Sequence, residues 1–335
     1  MSRIPFSGGR GAGRRRRGLV AAAAVIAALA ISSALSAFHP ALREIDPGAA
    51  KSGSEVPVGE VIGIRTFTPP AGLRVDADVE YGARDDGTLL TLDVCRPSAS
   101  MPGDRLPAVV SVHGGSWSRG DKANADWRNV CLWLASEGFV AASVNYRLVP
   151  DATFPAQLDD VSLAVEWLRA PDQIERFDVD PARIGVFGGS AGGNLAALVG
   201  AAGEGAVDVG SRVAAVVELS GPVALDALGG SSTWLQSIAA AYLGCDASVI
   251  VDGGCELAPD ASAATHLDPS DPPVFIGHAA DEMIPLSQSL GYAAALRATG
   301  VPVEVAVVPG ADHSIGLLDE AMRTRVAGFL RVWLD

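Results

Sequence analysis

Residues 183–199 read RIGVFGGSAGGNLAALV, and this stretch decides the fold. Ile184 to Phe187 is a short apolar run of the kind that forms a buried parallel strand, and Leu195 opens an apolar helix. Between them Gly188, Ser190 and Gly192 take the spacing G-x-S-x-G. A serine on so tight a strand-to-helix turn adopts a strained backbone that pushes its hydroxyl out beyond the sheet. Side chains two residues to either side would collide, so glycine stands there. The first N–H groups of the following helix, that of Ala191 among them, face the same point and can stabilise negative charge developing there. Taken alone, the spacing fits a glycine-rich turn without chemistry equally well; the rest of the chain decides.

Outward from this unit, strand and helix patterns alternate. Residues 75–81 and 89–94 alternate in polarity about the turn cluster 83–87, which reads as a hairpin. Further strands are expected at 107–113, 139–145, 213–219, 274–278 and 303–308. Helices are expected at 123–137, from Pro155 onward, at 286–299 and at 319–334. The order predicts an α/β fold: a mostly parallel central sheet with an antiparallel N-terminal hairpin and helices on both faces. Residues 225–267 are less regular and are expected to form a small cap insertion.

In such a sheet, ligands bind beyond the carboxyl ends of the strands. Ser190 follows its strand directly. His113-Gly114-Gly115 follows an earlier strand, and its adjacent glycines let backbone N–H groups approach a substrate oxygen, with Ala191 as partner. Asp281 follows the strand at 274–278, and His313 follows the strand at 303–308. Serine is a poor nucleophile until a base takes its proton; neutral imidazole does that near pH 7, and a carboxylate fixes its tautomer. Asp281 is the expected carboxylate, with an N-cap role beside it. Glu282, Asp312 and Glu218 are weaker alternatives. His113 is expected to orient its loop rather than move protons. Ser116, Trp117 and Tyr146 are candidate pocket walls, with core packing the competing reading for the two aromatics. His266 and His278 carry no assigned role.

These residues reach a family. From about Val79 to Leu334 the chain resembles the α/β-hydrolase esterases of the hormone-sensitive-lipase and acetyl-esterase type. It looks most like the bacterial feruloyl and acetyl-xylan esterase (BD-FAE-like) subgroup. The stretches that carry the resemblance include VVSVHGGSWSRGDK, LASEGFVAASVNYRL, FPAQLDDVSLAVEWLR, VDPARIGVFGGSAGGNLAAL, PPVFIGHAADEMIP and VPVEVAVVPGADHSIG. The resemblance implies Ser190 as nucleophile, Asp281 as acid, His313 as base, and Gly114, Gly115 and Ala191 as oxyanion donors. It implies ester hydrolysis through an acyl-enzyme, on a small-molecule or carbohydrate ester, with no metal or organic cofactor. Ser116 departs from it, since many relatives carry a third glycine there, and 225–267 finds no good match. Amide hydrolysis of the arylformamidase or peptidase kind is the competing activity. A catalytically inactive exported binding module is the competing class, since fold does not fix function.

The 335 residues carry a net charge of −14, yet the first acidic residue is Glu44. Six arginines (Arg3, Arg10 and residues 14–17) precede an uncharged apolar stretch at 18–38. Residues 1–38 therefore read as a secretory signal or a membrane anchor, with the remainder exported. Residues 39–72, rich in Pro, Gly and Ser, read as a flexible linker, and 73–335 as the catalytic domain. That domain is more acidic than the whole chain, which excludes nucleic acid as a partner; membrane contact is expected only through the N-terminal segment. Four cysteines in an oxidising compartment admit disulfides. Cys245 with Cys255 is the favoured pair, while Cys95 and Cys131 fit buried thiols as well as a bond.

Overall fold

The computed structural model describes residues 63–84, 87–98 and 105–335; the proposed leader and most of the proposed linker lie outside the described residues. β1 (Leu73–Ala83) and β2 (Leu89–Pro97) form the expected antiparallel hairpin. β3 (Leu106–Val112), β4 (Val140–Val144), β5 (Val179–Gly189), β6 (Ala215–Leu219), β7 (Val274–Ala279) and β8 (Val303–Val308) run parallel to one another. The sheet order is β1-β2-β4-β3-β5-β6-β7-β8, with β2 antiparallel to β4. Every residue of β4, β6 and β7 is buried. A strand covered on both faces has no polar face to show, which is why these segments are continuous apolar runs.

Helices cover both faces. The pleat sends Val110 to one core and its neighbour Val109 to the other. The first core holds α2 (Ala156–Leu168), α4 (Ala191–Gly200) and α7 (Leu286–Thr299), through Val161, Leu195 and Leu296 among others. The second holds α1 (Ala125–Ser136) and α8 (Glu320–Leu334), through Leu134 and Leu330. The alternation of strands and helices predicts this mostly parallel sheet, and the fold is that of the α/β-hydrolases, as the resemblance implies.

Three features differ from the expectation. A short helix, α3 (Pro171–Phe177), precedes β5. The insertion at 225–267 is more regular than its sequence suggests, holding α5 (Thr233–Leu243) and α6 (Ala247–Val251) between short 3-10 turns. Part of the stretch read as a linker is also packed. A 3-10 turn at Gly63–Thr66 buries Ile64 in the second core, and the Arg323 guanidinium donates to the Gly63 carbonyl and to Thr66 Oγ1. Two disulfides form. Cys245 bonds Cys255 as expected, and Cys95 on β2 bonds Cys131 on α1, settling that pair as a bond. Among the described residues no helix is long and apolar enough to cross a membrane.

Candidate active site

Ser190 caps α4 with φ 58° and ψ −124°, a backbone that L-residues avoid at a cost of roughly 1–3 kcal/mol. The surrounding sequence over-determines it. A Cβ on Gly188 would fall 2.0 Å from the Gly192 carbonyl oxygen, and one on Gly192 would fall 2.1 Å from the Val112 carbonyl oxygen. The Ser190 N–H donates to the Leu219 carbonyl (2.8 Å), which ties the turn to the end of β6. The G-x-S-x-G spacing is therefore enforced by backbone packed on backbone.

The loop after β3 presses on the same turn. A Cβ on Gly114 would lie 2.8 Å from the Gly189 carbonyl oxygen and 3.1 Å from Ser190 Cβ, so only glycine brings this loop so near the serine. His113 is buried. Its Nδ1 sits 2.9 Å from the Gly114 carbonyl, which accepts, so Nδ1 carries the hydrogen. Burial pushes its pKa below the ordinary histidine value and keeps the ring neutral. Tyr146 stacks on this ring (4.4 Å between centroids) and its hydroxyl donates to the His113 carbonyl (2.8 Å). For Tyr146 and Trp117 the structure shows core packing, the competing reading. Both are buried, and Trp117 stacks on Tyr242 of α5 at 4.1 Å. They support the loop from behind, fastening it to the core and to the insertion. Ser116, with φ 55°, is at the margin of burial and remains on the loop.

His313 lies in the loop after β8. Its neighbour Ser314 donates its N–H to Ser220 Oγ at the end of β6 (3.0 Å), and a Cβ on Gly189 would strike Ser314 Oγ. The loop is thus locked against the serine turn. The carboxylate that meets His313 is Glu282, whose Oε2 bonds His313 Nδ1. The Glu282 carboxylate is wholly buried. Asp281, the acid expected from chain order, is exposed, and its carboxylate has no hydrogen bond or ion pair with a described residue. The reason lies in the backbone. The Asp281 N–H donates to the Gly310 carbonyl (2.9 Å), which pins the start of the turn; the next side chain, not this one, then points inward. Chain order finds the turn, and the direction of one peptide selects the carboxylate.

Behind the serine lies a second buried carboxyl group. Glu218 of β6 accepts the Gly221 N–H through Oε1, and its Oε2 has no hydrogen-bond partner among the described residues. Desolvation pushes its pKa up to about 8, aided by the nearby charge of Glu282, while the Gly221 bond opposes the rise. Its hydrogen bond goes to Gly221, while that of His313 goes to Glu282. Asn194 of α4 anchors the insertion by donating to the carbonyls of Pro222 (3.2 Å) and Ala261 (3.0 Å). Sequence reading assigned neither Asn194 nor His278 a role; a polar residue inside an otherwise apolar helix or strand is the signal that marks both.

This fold, with a strained serine after its fifth strand, defines an α/β-hydrolase. The chain belongs to the BD-FAE family, whose model matches residues 92–296, more than half of its length. It is 29% identical over 266 residues to the probable carboxylic ester hydrolase LipM of Mycobacterium tuberculosis, covering 75% of this chain and 59% of LipM. A shorter stretch of 94 residues, 28% of this chain, is 42% identical to neutral cholesterol ester hydrolase 1 of Rattus norvegicus and spans 23% of that protein. The chain thus spans less than two thirds of either relative. Among solved structures it resembles the acetyl ester-xyloside bifunctional hydrolase of Caldicellulosiruptor lactoaceticus. That match has TM-score 0.59 and 25% identity, over 76% of this chain and 93% of the other.

Proposed function

We propose that the chain is an exported serine carboxylesterase that hydrolyses short-chain esters, including acetyl or feruloyl groups on carbohydrate. The observation that carries this reading is the His313–Glu282 pair, held by the Ser220–Ser314 contact against the Ser190 turn. The names of the relatives, a carboxylic ester hydrolase and an acetyl ester-xyloside hydrolase, support the ester as substrate. The basic and apolar leader supports export.

In this reading Glu282 fixes the tautomer of His313, leaving Nε2 free to take the Ser190 proton. The serine oxygen attacks the ester carbonyl. The negative charge then moves to the carbonyl oxygen, where the N–H groups of Gly114, Gly115 and Ala191 receive it. Collapse of this intermediate breaks the bond to the alcohol, which leaves with the proton from His313. Water, deprotonated by the same imidazole, attacks the acyl-serine and releases the acid. The test is p-nitrophenyl ester hydrolysis across acyl lengths with the parent and Ser190→Ala. Activity on acetate or butyrate is expected, falling by about 10⁵-fold or more in the variant. Equal rates in the two proteins on every ester would overturn the reading, and faster cleavage of the matching anilides would replace it with amide hydrolysis.

A further inference from the structure

We propose that His278 is a positioning residue of this site, holding the turn after β7 so that Glu282 rather than Asp281 faces His313; the proposal rests on the esterase reading above. His278 stands next to last in β7 and is wholly buried. Its Nε2 is 2.9 Å from the Ile284 carbonyl and 3.2 Å from Glu282 Oε1. Both neighbours are acceptors, so Nε2 carries the hydrogen, an assignment made from the bonding network. Its Nδ1 then accepts from the Ser289 hydroxyl of α7 (2.9 Å). One ring thereby joins the end of the strand, the far side of the turn and the following helix.

The carboxylate lies between two imidazoles. Glu282 Oε2 bonds His313, and Oε1 lies beside the His278 N–H without a hydrogen bond of its own, because that N–H is directed at Ile284. A buried carboxylate oxygen in this state depends on the nearest positive dipole, here His278. Two further buried titratable groups, Glu218 of β6, which feels the charge of Glu282, and Tyr292 of α7, which feels that of Glu218, have pKa values that burial pushes up. They offer Glu282 no cation.

The experiment compares His278→Leu and His278→Gln with the parent on p-nitrophenyl acetate, with active sites counted by fluorophosphonate labelling. The leucine variant is expected to lose tenfold or more in kcat per labelled site, in the range found for residues that orient a functional ligand, about 10–100-fold. KM should stay within about twofold, and the acid limb of the kcat/KM profile should move to lower pH as His313 loses its carboxylate. Glutamine, which returns an N–H near Nε2, should recover most of the loss. A leucine variant that labels fully and keeps both kcat and the acid limb overturns the proposal. Should the leucine variant fail to fold, Ser289→Ala decides: a several-fold fall with the same movement of the acid limb supports the role, and an unchanged profile overturns it. A parent that neither hydrolyses the ester nor takes the label overturns the esterase reading and this proposal together. An active parent with an indifferent His278→Leu overturns this proposal alone.

Discussion

The serine turn after β5 and the acid turn after β7 both present a side chain beyond the sheet, but they are specified in opposite ways. At the serine turn the glycines are forced by carbonyl oxygens within 2.1 Å of any Cβ, so position and residue type are fixed together. At the acid turn two carboxylates stand side by side, Asp281 exposed and Glu282 buried, and nothing in their local pattern separates them. A backbone collision leaves a mark in the sequence. A choice of direction made by a distant partner, the Gly310 carbonyl, does not.

The strongest way to break this contrast is Gly192→Ala. Its Cβ would meet the Val112 carbonyl, which as part of β3 cannot move aside. We expect a loss of about 3 kcal/mol or more, a fall in melting temperature of roughly 6–12 °C for a domain of this size. An unchanged melting temperature would show that the turn is adjustable.

A smaller effect sharpens the boundary between the two turns, where Glu218 lies. Its folded pKa of about 8 exceeds the ordinary 4.5, so between these values the native state holds a proton that the unfolded chain has released. Stability from this group is therefore intact at low pH and falls as pH rises toward 8, by up to about 1.4 kcal/mol per pH unit. Glu218→Gln should flatten that slope: the variant should gain melting temperature over the parent at pH 8 and not at pH 5. Parallel curves for the two proteins would contradict the neutral carboxyl.

Much of the fold was legible. Strands buried on both faces are continuous apolar runs, and β7, α7 and β8 fall within a residue of their expected bounds. The places of Ser190, His313 and the glycine loop in the fold were legible because each follows a strand end directly. The insertion was not. In α5 the buried face of Leu235, Ala239 and Tyr242 is blurred by Ala241, exposed on the other side, and its fixing contact is the distant Trp117. The packed turn ahead of β1 offers a single buried side chain, Ile64, too little to form a pattern. Trp117 sits close to the glycine loop in sequence and Tyr146 follows a strand end, which suggested a pocket as well as core packing; both rings are buried behind that loop.

The most direct test of the account is the pair Glu282→Gln and Asp281→Asn, each assayed for kcat/KM on a short-chain p-nitrophenyl ester. With Glu282 as the carboxylate on His313, the glutamine variant should fall by roughly 10³–10⁴-fold while the asparagine variant stays within about threefold of the parent. The reverse order, with Asp281→Asn the inactive protein, would contradict the assignment and return the acid to the residue that chain order alone suggests.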